Sequence, residues 1–307
     1  MLKDQLINMA KTFIENDFLE DSLRRDTIQY IEYKFNESVY FAKITQAHFW
    51  AFRENKDKIE EVKAMTIIEL IILASDIMDD MQDKDAKDTP WSDVEDAFNL
   101  NIIIGILLIS MKEIEGVGSN VDKKWIQKNV YSPLLQSING QHIDLKNQLM
   151  SESDYLQMCF LKSGSLISLA CFLGAGNIRR KLREKIDEYS KYLGVIFQLR
   201  NDISDMRNGF IKSDLFFKKR TLPVIYYLNT DDRAYESIQN YYLNNSSNLD
   251  VIKVHQDLMK GDALLYCSTV EKVFMHKYKK IVNQLNLSQE NTDLLLSIIA
   301  TQQEEPN

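Results

Sequence analysis

Ala64-Met65-Thr66-Ile67-Ile68-Glu69-Leu70-Ile71-Ile72-Leu73-Ala74-Ser75-Asp76-Ile77-Met78, continued by Asp79-Asp80, is the stretch on which the fold turns. Its apolar residues fall on every side of a helix, so the helix must be enclosed by other helices rather than lie half in water. Asp76, Asp79 and Asp80 sit at its end, spaced i, i+3 and i, i+4, and therefore near one face. Like charges at that spacing repel, and the C-terminal end of a helix dipole disfavours anions. A compensating cation is expected, and oxygen-only donors suit magnesium. The plainer alternative is a solvated acidic helix end that runs on into Asp83, Asp85 and Asp88.

A second such end follows further along. The mostly apolar run 192–199 leads into Asn201, Asp202 and Asp205, with Asn201 and Asp205 one turn apart. Two apolar helices that each end in oxygen ligands are less readily explained as two unrelated meetings with solvent. Basic residues add a third element. Lys162 lies between apolar runs, in Phe160-Leu161-Lys162-Ser163-Gly164-Ser165-Leu166, and Lys212, Lys218, Lys219 and Arg220 follow the second cluster. Alone, Lys162 would snorkel to the surface and the others would form a solvated basic face. Beside a magnesium site they could grip a diphosphate.

The rest of the chain fits long helices. Among 307 residues there are only 10 Gly and 4 Pro, too few for the turns of a sheet protein. One domain spanning 1–307 is expected, since no linker stands out. Turn signals are confined to 83–93 with Pro90, 115–120 with Gly116 and Gly118, Arg207-Asn208-Gly209, and 244–248. Ser92-Asp93-Val94-Glu95 matches a capping box and predicts a helix from there to about Lys112.

A net charge of −8 argues against nucleic acid as a partner. Cys159, Cys171 and Cys267 show no paired spacing, which points to small core residues in a reducing compartment. His48, His142, His255 and His276 have no metal spacing among them, and no Gly-rich phosphate loop occurs. The charged N-terminus lacks the apolar core of a secretion signal. The most apolar run, 100–109, is shorter than the roughly 20 residues a bilayer demands. The cytoplasm is the expected location, with a peripheral place at the inner face of the membrane as a variant.

Taken in order, these elements resemble the trans-polyprenyl diphosphate synthase family. Residues 73–80 resemble its first aspartate-rich motif, and Gly140-Gln141-His142-Ile143-Asp144-Leu145 its Gly-Gln-x-x-Asp-Leu element. Lys162-Ser163-Gly164-Ser165-Leu166, followed by Gly174-Ala175, is similar to its Lys-Thr-x-x-Leu segment. Residues 197–205 resemble the second aspartate-rich motif, and Lys212-Ser213-Asp214-Leu215 with Lys219-Arg220-Thr221-Leu222-Pro223 the closing signature.

The resemblance implies an all-α, isoprenoid-synthase-type helical bundle around a central cavity, working as a homodimer. It implies Mg2+ held by Asp76, Asp79, Asp80, Asn201 and Asp205. An allylic prenyl diphosphate would be bound by Lys162, Gln198, Lys212 and Lys219, with Asp76, Asp80 and Lys162 carrying the catalysis.

The departures from the family are informative. Ser75 or Ile77 stands where the first motif has an Asp, and Asn201 opens the second. The arginine pair after the first motif is missing, with only Lys84 and Lys87 nearby. The N-terminal Gly-Lys-x-x-Arg element is missing too, Leu23-Arg24-Arg25-Asp26 being a poor substitute. Those basic residues hold isopentenyl diphosphate, so the donor half is kept and the acceptor half lost. In this the chain is similar to the ComQ enzymes, which attach a geranyl or farnesyl group to a tryptophan of a small pheromone precursor peptide. The alternatives are a short-chain prenyl diphosphate synthase that elongates with isopentenyl diphosphate, and a non-catalytic regulatory homologue.

Overall fold

The computed structural model describes residues 2–83, 88–115, 123–208, 215, 217–230, 235–243 and 251–301. Lys84, Lys87, Gly116, Gly118, Gly209, Lys212 and the 244–248 turn lie outside them. The contacts divide the chain into two compact units, Met1–Leu134 with Leu166–Asp187 and Val282–Asn307, and Leu135–Ser165 with Glu188–Ile281. Among the described residues the regular elements are all helical, as an all-α fold requires.

The first unit begins with α1 (Leu2–Asp17), α2 (Asp21–Glu37), α3 (Tyr40–Phe52), α4 (Lys58–Asp83) and α5 (Asp96–Ile114). A short α6 (Lys123–Ile126) passes through a π-helical turn, Gln127–Tyr131, into α7 (Ser132–Lys146). The apolar run 64–78 lies within α4. Every residue from Ala64 to Ala74 is buried there, because α1, α2, α3 and α5 all pack around it. Two carboxylates inside this wall have partners. Glu61 accepts from Gln46 and Trp50, and Glu69 accepts the backbone N–H of Ala42.

Two expectations at α5 are corrected. The helix starts at Asp96 with Glu95 as N-cap, and no side chain caps it. Ser92 Oγ donates instead to Thr89 O, within the turn that precedes the helix. At 19 residues it also reaches the length of a span, which the apolar run 100–109 alone does not. By length and composition both α5 and Glu152–Ala175 could cross a membrane, although 72 % of the second window is buried in the fold.

The second unit holds most of α7, then α8 (Glu152–Leu161) and the first residues of α9 (Ser163–Ala175). The later part of α10 (Arg180–Asn208) follows, with α11 (Leu222–Leu228), α12 (Glu236–Leu243), α13 (Val251–Lys260) and α14 (Ala263–Asn283). A reciprocal capping box does occur, but at α8: Ser151 Oγ accepts from the Asp154 N–H and the Asp154 carboxylate accepts from the Ser151 N–H. The shorter Asp in place of Glu hid it from a search for Ser-x-x-Glu. Leu215, Val224, Tyr227, Ile238, Tyr241, Val254 and Leu258 form the apolar core here. Two of its tyrosines donate to backbone, Tyr227 to Leu258 O at 3.0 Å and Tyr241 to Leu215 O at 3.0 Å. The last helix, α15 (Gln289–Thr301), returns to the first unit and packs on α3.

The three cysteines are buried and unpaired with one another, as expected of core residues. His48 is fully buried, donates from Nδ1 to Ile44 O at 2.8 Å, and is pushed down to about 4 by burial, so it is a neutral core residue.

Within the first unit, Arg53 closes the end of α9. Its guanidinium donates to Gly174 O at 2.7 Å and Leu173 O at 2.9 Å, pairs with Glu60, and lies over the Phe49 ring. Replacing it leaves two carbonyls and a carboxylate without their partner. Arg53→Met is expected to lower stability by about 2–3 kcal/mol, read as a fall in the urea midpoint by circular dichroism. An unchanged midpoint would remove this cap from the account.

Candidate active site

In the second unit the site rests on a break between two helices. α8 ends with Lys162 as C-cap, at φ −70° and ψ −80°, and α9 starts at Ser163. Neighbouring helices reach this break because glycine faces it. A Cβ on Gly140 of α7 would stand 2.2 Å from Lys162 N, and one on Gly194 of α10 would stand 2.4 Å from Gly164 N. Backbone therefore meets backbone, and the short side chains that follow are brought within hydrogen-bond range.

The result is a connected polar cluster. Lys162 Nζ lies 2.7 Å from Asp144 Oδ2, with both side chains mostly shielded from solvent. Ser163 Oγ donates to Gln198 Oε1 at 3.0 Å. Gln198 Nε2 donates to Asp202 Oδ1 at 2.9 Å, across one turn of α10. The other oxygen of Asp202 accepts from Tyr155 OH at 2.7 Å. Asp202 is 3 % exposed, so both hydrogen bonds are needed to keep its charge inside the protein. Burial, aided by that charge, pushes the Tyr155 phenol well above its ordinary value and keeps it a donor.

The second acidic cluster is thus divided. Asp202 points inward and organises Gln198, while Asn201 and Asp205 are exposed on α10. Lys219 is half-buried, after a stretch in which Lys218 lies over the Tyr241 ring. Lys212 lies outside the described residues.

In the first unit, α4 carries its carboxylates to the last turn. Asp76 Oδ2 lies 2.9 Å from Lys34 Nζ of α2, with Glu37 3.6 Å from the same ammonium. Asp76 above all holds the Lys34 ammonium above its ordinary pKa, against the opposing effect of burial. Asp80 Oδ2 accepts from Trp91 Nε1 at 2.7 Å. Trp91 is itself fixed, edge-on to Tyr30 and Tyr33, with its carbonyl bonded by Asn99. Asp83 proves to be the final residue of α4 rather than part of the following loop. Asp79, Asp80 and Asp83 therefore share the i, i+3, i+4 spacing first noticed at Asp76.

Sequence reasoning missed Lys34, Trp91, Tyr155 and Asp83. The spacing Asp79-Asp80-x-x-Asp83 was visible, but the polar residues after it made it look like a loop. Lys34 and Trp91 gave no signal, since only tertiary packing brings them to α4.

Among the described residues, no three His, Cys, Asp or Glu side chains form a ready metal cage. Carboxylates along one helix end still fit magnesium, which takes one or two protein carboxylates and completes its shell with phosphate and water oxygens.

A profile described as polyprenyl synthetase matches residues 38–259. The chain belongs to the polyprenyl synthetase family. Over 289 residues it is 30 % identical to a tryptophan prenyltransferase ComQ of Bacillus subtilis subsp. natto, covering 93 % of this chain and 89 % of that one. It is also 31 % identical over 193 residues to a short chain isoprenyl diphosphate synthase of Methanocaldococcus jannaschii, 58 % of this chain and 59 % of that one. In fold it matches a heptaprenyl diphosphate synthase from Staphylococcus aureus, with TM-score 0.82 and 16 % identity over 100 % and 99 % of the two chains. This polyprenyl synthetase relative is accordingly a prenyltransferase, and the expectations of family, fold class and enzyme class are borne out.

Tyr155→Phe would remove the hydrogen bond to one oxygen of the buried Asp202. It is expected to cost about 1–3 kcal/mol in urea unfolding. Combined with Asp202→Asn, the loss should be less than the sum of the two singles, because the residues form one unit. Additive losses would mean that they do not act together.

Proposed function

We propose that this prenyltransferase moves a geranyl or farnesyl group from its diphosphate to a tryptophan of a small precursor peptide. The observation that carries this reading is the 30 % identity, over 93 % of the chain, with a relative named for tryptophan prenyl transfer. The charge pattern supports it. Leu23-Arg24-Arg25-Asp26 does not match the basic element that would grip a second diphosphate. An indole acceptor is neutral and has no need of one.

In this reading Asp79, Asp80 and Asp83 of α4 are magnesium ligands in the first unit, and Asn201 and Asp205 of α10 offer metal-binding oxygens in the second, while Asp76 pairs with Lys34. Magnesium, when bound, neutralises charge on the leaving diphosphate. Lys162, Lys212 and Lys219 bind that diphosphate, and their positive charge favours cleavage of its bond to the allylic carbon. Ser163, next to Lys162 in the chain, and Gln198, to which it donates, are neutral dipoles. They can stabilise an allylic cation without capturing it as a carboxylate would. A ring carbon of the indole attacks the cation, a carbon–carbon bond forms, and the indole then releases one proton.

The test is a mass spectrum of the peptide after incubation with enzyme, magnesium and farnesyl or geranyl diphosphate. One prenyl unit is expected on the tryptophan peptide and none when that tryptophan is replaced by phenylalanine. Chelation of magnesium should stop transfer, and its return should restore it. Asp79→Asn and Asp83→Asn are each expected to slow transfer on the order of a hundredfold or more, and Asp76→Asn by less. An unmodified peptide with an active donor site would leave chain elongation, favoured by the Methanocaldococcus relative, as the better reading.

A further inference from the structure

We infer that Asn147 is a positioning residue whose side-chain amide fixes the backbone on both sides of Lys219. This rests on the proposed reading of Lys219 as a diphosphate ligand. Asn147 is the residue after α7, at φ 50°, in the left-handed region that Asn enters more readily than most residues. Its own N–H donates to Asp144 O at 2.9 Å, which closes the end of the helix. The side chain is thereby presented to residues 218–220. Nδ2 donates to Lys218 O at 2.8 Å, and Oδ1 accepts from Arg220 N at 2.7 Å. A single planar group thus holds a carbonyl before Lys219 and an N–H after it.

The surroundings add further holds on this segment. Lys218 is also left-handed, at φ 53°, a conformation unusual for a long side chain. Its N–H reaches Leu215 O at 3.1 Å and its ammonium lies over Tyr241. Arg220 Nη1 donates to Leu149 O at 3.3 Å. Residues 147–149 therefore supply a fixed edge against which 218–220 is laid. Three residues before Asn147, Asp144 holds the Lys162 ammonium at 2.7 Å. The end of α7 thus serves two lysines in two ways: Lys162 through its charge, Lys219 through its backbone. Loosening 218–220 should weaken diphosphate binding without disturbing the Lys162–Asp144 pair.

The test is a double-mutant cycle on the full chain, with magnesium pyrophosphate as the probe in titration calorimetry. Asn147→Gly removes the amide while tolerating the positive φ, and Asn147→Asp keeps the acceptor for Arg220 N–H but loses the donor to Lys218 O. Asn147→Gly and Lys219→Ala are each expected to weaken binding by roughly five- to twentyfold, with the double variant no weaker than the weaker-binding single. Asn147→Asp, which sets a carboxylate oxygen against Lys218 O, should weaken binding at least as much as Asn147→Gly, and it carries the same cycle should the glycine variant fail to fold. Unchanged affinity in the Asn147 variants, with Lys219→Ala weakened, overturns the inference, as do fully additive losses. Unchanged affinity in Lys219→Ala instead overturns the diphosphate reading of Lys219 itself.

Discussion

The second unit depends on one steric constraint: the break at Lys162 must lie within backbone contact of α7 and α10. Gly140 and Gly194 are the residues that permit it. With any Cβ at those points the helices would separate by a side-chain layer. Lys162 would then lose Asp144, Ser163 would lose Gln198, and the line from Ser163 through Gln198 and Asp202 to Tyr155 would open. The polar chemistry is thus set by what is absent at the crossing. A short polar chain inside an apolar bundle is tolerated because every one of these links has a partner.

The first unit solves a different problem, how to end an apolar helix in several carboxylates. Each pair of like charges, and the helix dipole, works against that arrangement. The fold answers with specific partners. Lys34 neutralises Asp76, and the Trp91 indole N–H, itself wedged between Tyr30 and Tyr33, binds Asp80. Lys34 comes from α2, and Trp91 from the turn before α5. They keep the end of the helix ordered while leaving a carboxylate surface of the kind a hard cation prefers.

Much of this was legible in the sequence, and the limits were physical. The burial of α4 could be read because its apolar residues cover every face. The helical class followed from the scarcity of Gly and Pro. Lys162 and Gln198 could be placed at the site by motif, and the structure brings them to one cluster through Ser163. What escaped was whatever depends on packing across long separations. Asp202 looked like one more exposed acid in its cluster, yet Tyr155, 47 residues earlier, pulls it inside. Nothing in the sequence indicated that Lys34, 42 residues before it, would stand beside Asp76. The start of α5 was misplaced because a capping-box pattern specifies a possible cap, and Ser92 is instead drawn into the turn at Thr89.

Whether a donor site of the polyprenyl synthetase kind serves a neutral aromatic acceptor is decided by competition. Radiolabelled farnesyl or geranyl diphosphate would be offered, with magnesium, to the enzyme in the presence of both the tryptophan peptide and isopentenyl diphosphate at equal concentration. The account predicts label on the peptide and little in longer diphosphates. Label confined to elongated diphosphates, with the peptide unlabelled, would contradict it.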